Sequence, residues 1–370
     1  MAKYIYQYKQ WPDFHWDTSL ISNVLASVRF KQGRLIGQME NLGFQLQKEA
    51  TLMAMTEEVI KSSEIEGEIL DVSQVRSSIA RQMGIDVAGI VPSDRRVDGV
   101  VEMMIDATQN FNQALTDERL FGWHALLFPI GRSGSRKIEV GHWRKNPKED
   151  PMQVISGAMG REQVHFQAQD SIYVSAEMEA FIHWFNEELK LDSLLKAAIA
   201  HLWFVTIHPF EDGNGRIART IADMQLTRSD QSAYRFYSMS SQIRLERNSY
   251  YAILEETQKG DLDITKWMLW FLACMDRALD GSTVLLNKVL SKAKLWERFK
   301  LVSMNERQSN MINKLLDGFE GKLTTTKWAK MTKTSADTAL RDIQDMINKN
   351  VLVKVGESKK GASYEVRVGE

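Results

Sequence analysis

Apolar residues recur at intervals of three and four from position 18 to 61: Leu20, Val24, Val28, Leu35, Met39, Leu42, Leu46, Leu52, Met55 and Val59. That period lays one apolar stripe along a helix, so a long helix or a helical pair is predicted there. The same spacing predicts helices over 97–114, 123–128, 176–189, 193–207, 216–227 and 244–258. A Trp- and Leu-rich helical pair is predicted over 264–299. Residues 131–172 break the pattern: they are rich in turn residues, and two β-prone runs, MQVIS and QVHFQ, flank GAMGR. A β-hairpin is predicted.

After Met304 the pattern shortens to three small helices and then two strands around a charged, Gly-containing turn, the order of a winged helix-turn-helix. The fold class is therefore mainly α, with a helical core, a β-hairpin flap and a C-terminal winged helix-turn-helix. Three domains are expected: a helical extension over 1–96, a core over 97–300 and the C-terminal module over 304–370.

Composition changes this picture little. The 370 residues are 44% hydrophobic and 26% charged, and 47 Lys/Arg nearly balance 48 Asp/Glu, so no global field marks a nucleic-acid or membrane partner. The lone Cys274, in WMLWFLACM, reads as a small buried hydrophobe. The N-terminus lacks the basic head and apolar core of a secretory signal, and the apolar run 267–275 is too short to span a membrane. A cytoplasmic protein with no membrane partner is expected. The aromatic residues Tyr4, Tyr6, Trp11 and Trp16 are expected to fold back on the helical core.

Candidate chemistry is concentrated in HPFEDGNGRIAR, residues 208–219. Gly213, Asn214 and Gly215 form a turn between two predicted helices, where backbone N–H groups can converge on an anion. Arg216 and Arg219, three apart on one helix, can hold different phosphate oxygens by forked hydrogen bonds. Asp212 is a hard oxygen ligand suited to Mg²⁺, and His208 can accept a hydroxyl proton. Together these describe a hydroxyl attacking a Mg-nucleotide phosphate. His201, on the same helical face as His208, reads as a packed histidine for want of a third ligand at suitable spacing.

The stretch resembles the Fic motif, HPF, any residue, an acid, GNGR, two free positions and Arg, and the likeness runs over about 62–261. The resemblance implies transfer of AMP from ATP to a Ser, Thr or Tyr hydroxyl of a protein target, with self-modification included. His208 would be the base, Asp212 the Mg²⁺ ligand, Asn214 and the glycine amides the α-phosphate hole, and Arg216 the β-phosphate contact. Phe210 would be a core anchor. Doc-like kinases resemble this motif but disturb the second half of the nest; Gly215 is intact here, which favours nucleotidyl transfer. In ERNSYYAILEETQKGD, Tyr250 and Gln258 resemble the family's adenine wall.

Two further elements follow from the resemblance. Val154, Ile155, Ser156 and Gly157 would form a flap to whose edge a target segment adds as a strand. The long gap between GHWR and MQVIS, and Ala168-Gln169-Asp170 where prolines often sit, depart from many relatives. In KSSEIEGEIL, Ser62, Glu66 and Gly67 match the inhibitory pattern (S/T)xxxE(G/N), within a helix over about 57–67. Glu66 brought to Arg219 would occupy the place of the γ-phosphate. The same residues also read as a helix C-terminus closed by Gly67 with solvated glutamates.

The C-terminal 305–370 carry 12 Lys/Arg against 9 Asp/Glu. Lys327, Lys330, Lys333, Arg341, Lys359 and Lys360 could meet phosphate backbones, with 335–349 as recognition helix, although Asp337, Asp342 and Asp345 on it oppose DNA. DNA and a protein dock both stay open for this module, as does a homodimer of the chain. Two other functions also stay open: a DNA-binding regulator whose core senses nucleotide, and removal of AMP from a target with Glu66 orienting a water.

Overall fold

The computed structural model describes residues 3–87, 89–157, 161, 163–316, 319, 321–358 and 361–367. Residues 158–160 of GAMGR, and Lys359 and Lys360, lie outside them. The chain divides into two compact units, 1–85 with 91–285, and 86–90 with 286–370. Within the first unit the N-terminal helices pack directly on the core.

The first unit opens on a short 3-10 turn at Ile5–Gln7, followed by α1 (Thr18–Glu40) and α2 (Phe44–Ile65). The predicted 18–61 run is thus a pair, broken at residues 41–43, where Gly43 has little helix propensity. Apolar spacing did not single out α3 (Val72–Gln82), which starts at Asp71, whose carboxylate accepts from Gln74 N. α4 (Arg95–Gln109) and α5 (Asp117–Leu127) follow, each with a side-chain cap, Asp94 and Thr116. Their backbones approach at Gly99, where a Cβ would overlap the Leu126 carbonyl. Gly99→Ala is therefore expected to cost about 1–3 kcal/mol of overpacking, against about 1 kcal/mol of improved helix propensity. A melting temperature at or above the parent's would remove this close approach as the reason for glycine.

A two-residue hairpin, β1 (Arg132–Ser133) with β2 (Arg136–Lys137), precedes the predicted one, β3 (Gln153–Ser156) with β4 (Gln163–Gln167). Then come α6 (Val174–Glu187), α7 (Ser193–Ile207), α8 (Asn214–Asp230), α9 (Met239–Leu245) and α10 (Arg247–Gln258). α7 is apolar on every face and buried along almost its whole length, so it forms the centre of the unit against α8. α11 (Thr265–Phe299) is one helix of 35 residues where a pair was expected. Gly281 is its sole glycine and it has no proline, so nothing in its interior forces a break. Its residues from 286 onward belong to the second unit.

The N-terminal segment corrects one expectation. Trp11 packs edge-on to Trp203 of α7, but Tyr4 and Tyr6 pack on Phe166 of β4, and Tyr6 Oη donates to the Gln167 carbonyl at 2.9 Å. Two of the aromatic anchors thus brace the flap rather than the helices. Cys274 is fully buried, and burial raises its thiol pKa, in keeping with a small hydrophobe.

The second unit contains α12 (Glu306–Leu316), α13 (Thr325–Thr332), α14 (Ala336–Asn348) and the antiparallel pair β5 (Leu352–Ser358) and β6 (Gly361–Val366). Trp328, Ile343, Met346 and Leu352 lie in its core, and Leu323 bridges Tyr364 of β6. Asp342 pairs with Arg307 at 3.1 Å, and Asp345 accepts from Gln308 at 2.8 Å, so these two acids are tied to α12. Among the described residues, no helix is long and apolar enough to cross a membrane.

Candidate active site

The site is assembled where α7 hands over to α8. α7 ends at His208, whose φ of 53° and ψ of 58° put it in the left-handed region and turn the chain sharply. Arg144, fully buried, holds that turn: its Nε donates to the His208 carbonyl at 2.8 Å and its backbone N–H to the Pro209 carbonyl at 2.8 Å. Sequence reading missed Arg144, since the turn it holds lies more than sixty residues away. Its only signal was a lone arginine in GHWR amid turn residues.

His208 Nδ1 lies 3.2 Å from the Val205 carbonyl, which can only accept. The ring proton therefore sits on Nδ1 and leaves Nε2 as a lone-pair acceptor. Burial lowers the imidazole pKa to about 4, with the Arg144 charge adding to the shift. The histidine is neutral at pH 7.

Gly213 and Gly215 are glycines for different reasons. Gly213 has φ +81°, and a Cβ there would press on Phe128 and Leu127. Gly215 sits within the first turn of α8 at ordinary helical angles, so the positive φ that two glycines would permit is used once. What Gly215 provides is space, because a Cβ would overlap Glu66 Oε1 and lie 3.3 Å from Arg219 Nη1. The Asn214 side chain braces the loop, accepting from Phe210 N at 2.9 Å and donating to Phe210 O at 2.8 Å. Its expected share in an anion hole is thereby confined to its backbone N–H. N–H groups in the first turn of α8 have no intrahelical partner and are open to an anion. Phe210 is fully buried and stacks on His124, with ring centroids 4.1 Å apart.

Both arginines of the motif are buried and engaged. Arg219 Nη2 is 2.8 Å from Glu66 Oε1, its Nε donates to Ser62 Oγ at 3.0 Å, and Nη2 also donates to the Ser62 carbonyl at 2.9 Å. Burial works against its charge, and Glu66 outweighs that and raises its pKa. Arg216 Nη1 donates to Glu68 Oε2 at 2.9 Å, a partner the sequence reading did not anticipate. Arg219 Nη1 and Arg216 Nε are nevertheless buried donors without a partner among the described residues. Each could serve an anion's oxygen.

Gly67 reconciles the two readings of KSSEIEGEIL. It has φ +85°, and Glu68 N donates to Ser63 O at 3.0 Å, so α2 does end at a glycine cap. That cap leaves Glu66 as the last residue before the turn, and its partly exposed carboxylate reaches Arg219.

A cavity of about 580 Å³ opens over His208, Gly215 and Glu66, walled by the flap and by α10. Tyr250 and Gln258 border it, but both are buried and engaged. Tyr250 Oη lies 2.8 Å from His201 Nε2, and Gln258 Nε2 donates to Thr206 Oγ1 at 3.2 Å. Tyr250 therefore resembles core more than a stacking platform, and half-buried Tyr251, 3.4 Å from Glu66 Oε2, is the neighbour the sequence reading passed over. His201 is a packed histidine, with its pKa pushed down to about 3 by burial. Of the flap residues, Val154 turns inward to the cluster around Phe166, Ile155 is half exposed and Gly157 has φ +105°. β3 pairs only with β4 among the described residues, so its other edge is open.

Asp212 Oδ1 accepts from Gly213 N at 2.5 Å, and Oδ2 accepts from Ser133 Oγ. No group of three or more His, Cys, Asp or Glu suited to a metal occurs among the described residues. One carboxylate still fits Mg²⁺, which commonly takes one or two from protein and the rest from phosphates and water.

Residues 114–226 match the family described as Fic/DOC. This segment is a Fic/DOC domain within the chain. The Fic match is narrower than the span 62–261 carried by the motif resemblance, and residues 4–85, including Glu66, match a separate domain of unknown function, DUF4172. Similar proteins include protein adenylyltransferase fic-1 of Caenorhabditis elegans, 37% identical over 92 residues, covering 24% of this chain and 17% of that protein. Protein adenylyltransferase Fic of Culex quinquefasciatus is 27% identical over 244 residues, covering 63% of this chain and 42% of that one. The chain thus spans less than half the length of these two relatives. A Fic family protein of Desulfovibrio desulfuricans G20 shares the fold, with a TM-score of 0.55, 19% identity, and coverage of 96% of this chain and 98% of that one.

Proposed function

We propose that this Fic protein is an autoinhibited adenylyltransferase that moves AMP from ATP to a protein hydroxyl. The observation that carries the reading is the Glu66–Arg219 pair at 2.8 Å beside the side-chain-free Gly215. A guanidinium next to an anion nest suits a terminal phosphate, and here a glutamate from another element occupies it.

The chain's residues divide the work as follows. The α8 N–H groups and Arg216 bind the phosphates and draw charge toward the leaving pyrophosphate. Arg219, once free of Glu66, fixes the γ-phosphate and so sets which face of the α-phosphorus meets the acceptor. His208 Nε2 takes the hydroxyl proton as the new O–P bond forms. The open edge of β3 aligns the target segment by main-chain hydrogen bonds. Asp212 would hold Mg²⁺, which when bound neutralises phosphate charge.

The test is intact mass of wild type and Glu66→Gly, each incubated with each nucleoside triphosphate and Mg²⁺. The variant is expected to gain the mass of AMP with ATP. Its rate should rise roughly tenfold to a hundredfold over wild type, as for loss of charge-assisted hydrogen bonds of about 1.5–3 kcal/mol. Equal rates would remove the inhibitory role, and gain of a phosphoryl mass instead would reassign the reaction.

For the second unit we propose a winged helix used for protein docking. The isolated antiparallel bridge from Leu323 to Tyr364 beside the β5–β6 pair supports this reading, since such a module carries a short third strand there. α14 keeps Asp342 and Asp345 against α12 and exposes Asp337, Leu340, Arg341 and Gln344, a mixed surface that suits protein better than DNA.

A further inference from the structure

A second constellation borders the same cavity, on the flap. Ser156 Oγ lies 2.6 Å from His165 Nε2, and His165 Nδ1 lies 2.6 Å from Glu255 Oε2 on α10. A carboxylate accepts, so Nδ1 carries the ring proton and Nε2 is left to accept from the Ser156 hydroxyl. Lys259, one helical turn along, also bonds Glu255 and helps to hold its carboxyl below its ordinary pKa. The order hydroxyl, imidazole, carboxylate is that of an activated nucleophile.

The flap backbone is shaped for this contact. Val154 pairs with Phe166 but Ile155 pairs with Val164, so His165 is the extra residue of a β-bulge. A bulge re-aims the side chain it carries, and here it lets His165 meet Ser156 on the partner strand and Glu255 on α10 together. Three elements converge on one exposed serine.

We propose that Ser156 is itself an acceptor of AMP, with His165 as its base and Glu255 as the group that orients His165. This rests on the adenylyltransferase reading above. The Ser156 Oγ–Pα bond forms as the bond from Pα to the bridging oxygen breaks, and pyrophosphate departs with the bonding electrons. The hydroxyl proton passes to His165 Nε2 and then to water. AMP on Ser156 would sit at the end of β3 and obstruct the edge to which a target strand adds, so the modification limits the flap's own use.

The experiment uses the full chain carrying Glu66→Gly, incubated with ATP and Mg²⁺, digested, and mapped by tandem mass spectrometry. AMP is expected on Ser156. Adding Ser156→Ala abolishes AMP on the flap peptide, Ser156→Thr retains it, and His165→Gln lowers it by roughly a hundredfold or more, as for loss of a general base. Unchanged melting of each variant confirms that it folds. AMP found only at other residues, or flap labelling undiminished by His165→Gln, overturns the proposal and leaves the adenylyltransferase reading intact. No AMP on the chain or on any added protein, with no pyrophosphate released, removes both.

Discussion

In the Glu66→Gly chain, His208→Ala is expected to lower AMP transfer by roughly 10²- to 10⁴-fold, the range for loss of a positioned general base. Neither the pKa nor the tautomer of His208 has to change for the reaction. Burial holds its pKa near 4, and the Val205 carbonyl fixes the proton on Nδ1. The rate in the parent should therefore be flat from about pH 6 to 8 and fall only as pH approaches 4 and the imidazole takes a proton. An ordinary histidine would place that fall near about 6.5. Initial rates with labelled ATP check both points. A loss below about tenfold in His208→Ala, or an acid limb near pH 6.5, would give the proton to another group.

The His208 stretch was legible in the sequence because histidine, acid, turn and arginines occupy twelve consecutive positions. Glu66 was legible for a similar reason: Ser62, Glu66 and Gly67 fall within six consecutive positions, and Gly67 ends α2. What escaped were contacts between distant segments. Arg144 grips the His208 turn from 64 positions away, and Glu68 reaches Arg216 across 148. Neither residue has a local pattern, since a lone arginine or glutamate near turn residues usually reads as solvated. His165 was hidden differently, because an alternating strand pattern cannot reveal a bulge that puts one residue out of register. The helices follow the same division. Apolar spacing located α1, α2 and α7, but polar α3 depends on its Asp71 cap, and α11 showed no mark of its continuity.

The second large effect is expected from Arg235→Met, which should destabilise the first unit by about 3–5 kcal/mol, as when one partner of a buried ion pair is removed. Arg235 and Asp223 are paired and each 2% exposed at the side chain, with Glu58 of α2 alongside Asp223. Burial raises the Asp223 pKa well above the carboxylate range, Arg235 opposes that, and Glu58 adds to it. Two carboxyls and one guanidinium thus share a dry site, and one retained proton balances it. A carboxyl whose folded pKa is raised holds a proton that the unfolded chain gives up above about pH 4, so its stability contribution is lost as pH climbs from there toward the folded value. Glu58→Gln supplies a permanently neutral partner, should cost far less than Arg235→Met, and should flatten that decline. Denaturant midpoints at several pH values measure all three. Position gives the network a bearing on activity: Glu58 lies two turns before Glu66 on α2, and Asp223 one turn after Arg219 on α8. Glu58 ties α2 to α8 through Asp223 near the Glu66–Arg219 contact, so Arg235→Met is expected also to raise AMP transfer in the chain that retains Glu66. A destabilised variant with unchanged transfer would show that the Glu66–Arg219 contact holds without this support.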